Sequence, residues 1–247
     1  MEKLKVLDLF SGIGGFSLGL ERTGGFETVA FCEIDPFCQT VLKKHWPEVP
    51  IYEDVTKLEF SESVDLVTAG FPCQDISLAG KGAGLSGERS GLFWQVIRTV
   101  RMVGQPRLLL ENVAALLNRG AGSVFGALAT VGYDAEWHCI PACYVGAWHK
   151  RDRIWILADT GCQRDGKRKP QKPILRQQNL SGEFEGVFTK WPGRSNLPSP
   201  TLHRGNNGVS KELDSHGNAV IPQIPEIIGN AILTSLDYVP TAREAGK

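Results

Sequence analysis

Short apolar runs alternate along the chain with segments whose apolar residues recur at helical spacing. Nearly continuous apolar runs occupy residues 4–10, 28–32, 64–69, 107–110 and 154–158. Such runs are typical of strands that are buried on both faces, as in parallel sheets. Their alternation with helical segments predicts an α/β fold.

Weaker patterns predict the remaining elements. Short strands are expected at residues 51–52 and 133–141. Asp35 followed by Pro36 marks a helix start, because aspartate caps free amides and proline fits the first turn. The predicted helices span residues 16–20, 36–45, 91–103, 123–131 and 222–236.

The composition is that of an ordinary globular protein, with 42% hydrophobic and 22% charged residues among 247. The formal net charge of zero gives no argument for a nucleic-acid partner. We find no signal-peptide pattern and no apolar run of about 18 residues, so we expect no membrane partner and a cytoplasmic location. The six cysteines form no CxxC pair, which predicts free thiols and no metal site.

Two stretches lack a regular pattern. The glycine-rich segment 81–90 predicts a mobile loop. Residues 160–215 predict loops with short strands near 186–190, and they hold ten Lys or Arg against five Asp or Glu. This positive excess fits a solvated surface as well as it fits a phosphate-contacting one.

Glycines and acids follow three of the predicted strands. The sequence Ser-Gly-Ile-Gly-Gly at residues 11–15 lies between a strand and a helix, where glycines let the backbone approach a ligand. Similar turns also serve tight packing, and this spacing is neither GxGxxG nor a P-loop. Glu33, about 20 residues further on, and Asp54 each end a strand. Together these features favour an adenosine-type ligand no more than they favour ordinary turns.

Three further strand ends carry reactive or charged side chains. Cys73 lies in Gly-Phe-Pro-Cys-Gln, residues 70–74, and is either an inert thiol or a reactive one at the mouth of the sheet. Glu111 directly follows the strand at 107–110. Arg151 and Arg153 precede another strand, and their spacing places both on one side of an extended segment, suited to an anion or a carbonyl.

These segments, taken in order, resemble the motifs of the cytosine-5 DNA methyltransferase family. The resemblance covers residues 4–158 and 203–236. It rests on Asp-Leu-Phe-Ser-Gly-Ile-Gly-Gly (8–15), Gly-Phe-Pro-Cys-Gln (70–74), Glu-Asn-Val (111–113), Arg-Asp-Arg-Ile (151–154) and Gly-Asn-Ala-Val (217–220). It implies a doubly wound, Rossmann-like α/β sheet that uses S-adenosylmethionine, with a small irregular target-recognition lobe.

The resemblance also implies a domain division and a chemistry. Residues 1–158 would form the catalytic domain, 159–215 the recognition region, and 216–247 a returning helix. Cys73 would add as a thiolate to carbon 6 of a flipped-out cytosine, so that carbon 5 can attack the methyl group. Glu111 would bind the exocyclic amine and nitrogen 3. Arg153 would hold the base carbonyl, and Arg151 would support the site and a nearby phosphate.

The same motifs assign the remaining site residues. Residues implied at the cofactor are Phe10, Ser11, Gly12, Gly14, Gly15, Glu33, Ile34, Asp54, Val55, Leu92, Asn218 and Ala219. Residues implied at the target base or the DNA are Phe71, Pro72, Gln74, Ser77 and Asn112.

The chain departs from the family pattern at His149, where the family has Gln, at His216, where it has Leu, and in its short recognition region. The expected partners are double-stranded DNA and a cognate restriction endonuclease, with the protein a monomer. Two alternatives stay open at this point. One is a regulatory DNA-binding homologue without turnover, and the other is a tRNA cytosine-5 methyltransferase.

Overall fold

A computed structural model describes residues 2–72, 91–147, 149–160, 174 and 219–238. Within these ranges helices and strands alternate, as the apolar pattern predicts. The strands are β1 (Leu4–Leu9), β2 (Phe26–Cys32), β3 (Ile51–Tyr52), β4 (Leu66–Ala69), β5 (Arg107–Val113), β6 (Asp134–Pro141) and β7 (Asp152–Asp159). The helices are α1 (Gly15–Arg22), α2 (Pro36–His45), α3 (Gly91–Met102), α4 (Leu116–Arg119), α5 (Ala121–Thr130) and α6 (Gln223–Ser235), with a 3-10 turn at Ala142–Val145.

The seven strands form one sheet in the order β3-β2-β1-β4-β5-β7-β6. β1 to β5 are parallel to one another, whereas β7 runs antiparallel to both β5 and β6. The chain crosses from one half of the sheet to the other between β3 and β4. In open α/β sheets, ligands bind at such a switch point, outside the carboxyl ends of the parallel strands.

Helices cover both faces of the sheet. α3 and α5 pack on one face, around a core that includes Val96, Val100 and Leu128. On the other face, α1 and α6 pack with Phe16 and Ile228. The doubly wound α/β prediction is therefore confirmed, with an antiparallel pair at one edge.

α6 packs directly on α1, because α1 presents glycines where the two segments meet. A Cβ on Gly15 would collide with the Val220 carbonyl, and one on Gly19 would collide with the Pro222 carbonyl. The segment that leads into α6, with Val220 and Pro222, therefore crosses over the amino end of α1.

Most predicted elements are observed, with changed ends. The first strand stops at Leu9 because Phe10 adopts a left-handed φ of 53°. The helix expected at 123–131 begins at Ala121, after the separate short α4. Within the described ranges, none of the helices is long and apolar enough to cross a bilayer. The predicted loop at 81–90, the strands near 186–190 and the boundary at residue 215 lie outside the described residues.

Candidate active site

Glu111 and Arg153 form an ion pair at the carboxyl end of β5. Arg153 Nε donates to Glu111 Oε1 at 2.9 Å. The register places Glu111 opposite Trp155 and Arg153 opposite Val113. The two side chains are therefore diagonal neighbours on one face of the antiparallel pair, which brings long side chains within reach.

Arg151 reaches the same site by a different route from the one predicted. The prediction assumed an extended backbone at Arg151, and this is wrong, although the charges of Arg151 and Arg153 both act on Glu111. Arg151 precedes β7 and has a left-handed φ of 33°. Its Nη2 donates to the Ala219 carbonyl at 3.0 Å. Arg151 consequently links the start of β7, which carries Arg153, to the segment that leads into α6.

Burial dominates the electrostatics of this group. It raises the pKa of the Glu111 carboxyl, while the charges of Arg153 and Arg151 act in the opposite direction. Burial and the charge of Arg153 lower the pKa of the Arg151 guanidinium, and Glu111 raises it. Burial therefore makes the Glu111 carboxyl hold its proton more readily than an exposed glutamate does, and a protonated carboxyl can donate a hydrogen bond.

The segment that leads to Cys73 is anchored to β5. A Cβ on Gly70 would lie 3.6 Å from Glu111 Oε2. Asn112 Nδ2 donates to the Phe71 carbonyl at 2.8 Å, and the Phe71 ring packs on Phe93 with a centroid distance of 5.1 Å.

These contacts give two of the predicted DNA residues internal roles. Asn112 and Phe71 are both buried, whereas Pro72 is exposed. A DNA contact by any of the three stays a prediction. Cys73, Gln74 and Ser77 lie outside the described residues.

The glycine turn after β1 is tied to the end of β2. Gly12 N donates to Glu33 Oε2 at 2.7 Å, and the other oxygen of this carboxylate accepts from Asp35 N at 2.8 Å. Ser11 Oγ donates to the Asp8 carbonyl at 2.6 Å. The strained Phe10 lies at the start of this turn. The turn and Glu33 therefore form one hydrogen-bonded unit across the strand ends.

The glycines of this turn serve different purposes. Gly12 has a φ of 54° and open space where a Cβ would lie. Gly14 has a φ of 85°, and a Cβ there would lie 2.6 Å from the Trp46 ring. Gly15 accommodates Val220, so packing explains this glycine. A cofactor contact by any of the three stays a prediction.

The other predicted cofactor residues differ in exposure. Ile34, next to Glu33, has 73% of its surface exposed. Asp54 Oδ1 accepts from Thr56 N at 2.9 Å and Oγ1 at 2.7 Å, and these hydrogen bonds lower the pKa of the Asp54 carboxyl.

Val55, by contrast, is buried in the core, and Leu92 is partly buried against it. Ala219 contributes its carbonyl to Arg151. Asn218 lies outside the described residues. Binding of a cofactor by these residues remains a prediction.

Sequence reasoning missed two residues that hold these strand ends in place. Asp8 is completely buried on β1 and accepts from Thr68 Oγ1 at 2.7 Å and Ser17 Oγ at 2.8 Å. The signal for it was a carboxylate inside an apolar strand. Arg98, on α3, donates to the Val55 and Leu58 carbonyls. No sequence pattern indicates that an arginine binds backbone carbonyls, so the role of Arg98 could not be predicted.

Comparison with known proteins identifies the family. A model of the C-5 cytosine-specific DNA methylases matches residues 4–190, more than half of the chain. The chain belongs to this family. It is 39% identical over 191 residues to the Type II methyltransferase M2.BsuMI of Bacillus subtilis, covering 74% of this chain and 47% of the relative. It is 35% identical over 224 residues to the Type II methyltransferase M.MspI of a Moraxella species, covering 88% and 53%. The chain thus spans about half the length of these relatives.

Solved structures agree on the fold. The Dnmt2 methyltransferase of S. pombe matches with a TM-score of 0.63 at 16% identity, covering 96% of this chain and 100% of that one. A DNMT2 variant of Spodoptera frugiperda matches with a TM-score of 0.53 at 23% identity, covering 68% and 54%. At these identities the likeness concerns the architecture alone.

Proposed function

We propose that this protein transfers a methyl group from S-adenosylmethionine to carbon 5 of a cytosine in duplex DNA. The observation that carries the proposal is the partly buried Glu111–Arg153 pair, with Glu111 lying against Gly70, the first residue of the motif that contains Cys73. Family membership and the Type II methyltransferase relatives support DNA over the tRNA and regulatory alternatives.

The side chains around the glycine turn fit S-adenosylmethionine. Glu33 offers a carboxylate for ribose hydroxyls, and the exposed Ile34 offers an apolar surface for the adenine. Asp54, which follows β3, offers an acceptor for the adenine amino group. Phe10 and Gly12 would lie beside the methionine portion. When bound, the cofactor supplies an electrophilic methyl group on a positively charged sulfur.

The base-binding side chains suit nucleophilic addition to a cytosine. In the proposed reaction the Cys73 thiolate forms a bond to carbon 6, and the Glu111 carboxyl donates its proton to nitrogen 3, where negative charge would otherwise develop. The raised pKa of Glu111 supports this donor role. Arg153 holds the base carbonyl and orients Glu111.

Turnover restores the thiolate. Carbon 5 takes the methyl group and then loses its proton to a base, the bond from carbon 6 to sulfur breaks, and nitrogen 3 returns its proton to the Glu111 carboxylate. Arg151 takes no part in these bonds. It holds the Ala219 segment beside the site, and we propose that it also contacts a nearby phosphate, as the resemblance implies.

The partners in the proposal are those that the chemistry requires. A cytosine within a duplex must leave the base stack to meet Cys73, at a cost of about a few kcal/mol. We propose that the protein acts in the cytoplasm as a monomer alongside a cognate restriction endonuclease.

A methyl-transfer assay tests the proposal. Labelled S-adenosylmethionine is incubated with duplex DNA or with tRNA, and the acid-insoluble label is counted. Wild-type protein should label DNA and leave tRNA unlabelled, Cys73→Ala should label neither, and Glu111→Gln should be slowed by at least about 100-fold, the usual contribution of acid–base catalysis. Label in tRNA alone, or full activity of Cys73→Ala, would overturn the proposal.

A further inference from the structure

Arg98 joins α3 to the segment that follows β3. Its Nη2 donates to the Val55 carbonyl at 2.7 Å and its Nη1 to the Leu58 carbonyl at 3.1 Å. The remaining nitrogen, Nε, donates to Gln95 Oε1 at 2.7 Å, one turn earlier on the same helix. All three nitrogens of the guanidinium are therefore engaged, and the side chain is fixed in direction.

The segment held by Arg98 is a tight turn that begins with Asp54. Lys57 N donates to the Asp54 carbonyl at 3.0 Å, and Leu58 N to the Val55 carbonyl at 3.4 Å. The Asp54 carboxylate binds the Thr56 amide inside the turn at 2.9 Å. Asp54 thus caps the amide end of this turn, while Arg98 binds carbonyls on its other side.

Burial separates the two ends of the turn. The side chains of Val55 and Leu58 are in the core, whereas 30% of the Asp54 side chain is exposed. Arg98 therefore acts from inside the fold on a segment whose outer residue carries a carboxylate toward solvent. A fork of donors holds two carbonyls at a defined separation, which the single ammonium of a lysine does poorly.

We propose that Arg98 is a positioning residue for the adenine end of the cofactor site. It sets the place of Asp54 and of the Val55 backbone relative to α3, the helix that carries Leu92. The inference rests on the proposed function, because it assumes that Asp54 meets the adenine. It predicts an effect on cofactor affinity and none on the chemical step.

The test compares three variants of the full chain. Arg98→Met removes all the donors, Arg98→Lys keeps the charge without the fork, and Arg101→Met removes an exposed arginine from the last turn of the same helix. Calorimetry measures the Kd for S-adenosylmethionine and for adenosine, and the methyl-transfer assay gives KM and kcat.

Arg98→Met should raise both Kd values and the cofactor KM by about tenfold, as expected when a charge-assisted hydrogen bond no longer holds the segment. Its kcat should stay within about twofold, because the lost binding energy is the same in the ground state and in the transition state. Arg98→Lys should show a smaller increase, and Arg101→Met should match the wild type.

The outcomes separate this inference from the proposed function. If wild-type protein binds no S-adenosylmethionine, both fail together. If the wild type binds and Arg98→Lys binds equally well, only the role of Arg98 fails. A fall in kcat with unchanged Kd would also overturn it, since a general loss of structure or a catalytic role would then explain the variant. A loss of S-adenosylmethionine affinity without a loss of adenosine affinity would place the effect at the wrong end of the cofactor.

Discussion

Asp8 should make the stability of this protein fall between pH 4 and pH 7. Complete burial raises the pKa of the Asp8 carboxyl from 3.8 to about 7, the hydroxyls of Thr68 and Ser17 partly offset this, and the charges of Glu33 and Glu21 add to the increase. The folded state therefore keeps a proton that the unfolded chain releases near pH 4. The stabilising contribution is complete below that pH and is lost as the pH rises toward 7.

The size of the effect follows from the shift. The increase of the Asp8 pKa from 3.8 to about 7 corresponds to about 4 kcal/mol, at about 1.4 kcal/mol for each tenfold change in proton affinity. Asp8→Asn keeps the shape of the side chain without the charge, and its amide can still bond the hydroxyls of Ser17 and Thr68. Above pH 7 the variant should be the more stable protein, by an amount that shrinks as the pH falls to 4.

Urea unfolding at several pH values measures this difference, with the fluorescence of the six tryptophans as the probe. Carboxylates that do not interact with Asp8 cancel in the comparison. Asp134→Asn, at an exposed position on β6, serves as the control and should follow the wild type. A constant difference between Asp8→Asn and wild type from pH 4 to pH 8 would refute the buried-proton explanation.

Two further substitutions test the packing that surrounds the site. Gly15→Ala should destabilise the protein by about 2 kcal/mol, because the new methyl group meets the Val220 carbonyl. Gly126→Ala on α5 has open space and should be neutral or stabilising. Thermal unfolding measures both variants, and equal melting temperatures would contradict the close packing of α1 and α6. Arg107→Met should cost about 3 kcal/mol in urea unfolding, because it leaves the partly buried Asp159 without the guanidinium that contacts it at 2.6 Å. A loss below about 1 kcal/mol would show that solvent already screens this pair.

The apolar pattern was sufficient to predict the strands in the parallel half of the sheet. Runs such as residues 6–9 and 66–69 are buried on both faces, so their strand character follows from composition alone. The pairing of β5 with β7 is different, since no local pattern specifies a register between segments about 40 residues apart. The resemblance to a family brought Glu111 and Arg153 together before the structure did.

The sequence did not predict which side chains bind the main chain. Arg98 and Asn112 both bind backbone carbonyls of distant segments. Every residue has a carbonyl, so the sequence carries no mark of which one is chosen. Arg151 was misplaced for a related reason, because its left-handed backbone breaks the alternation that its spacing suggested.

The contact between Val220 and Gly15 bears on the order in which the protein can mature during synthesis. About 200 residues separate these positions, so the ribosome has made the glycine turn, the sheet and most of the chain before Val220 appears. Until then the face of α1 that carries Gly15, Gly19 and Leu20 has no cover from α6 and the segment before it. A nascent chain therefore leaves this face of α1 open to association until α6 has been made.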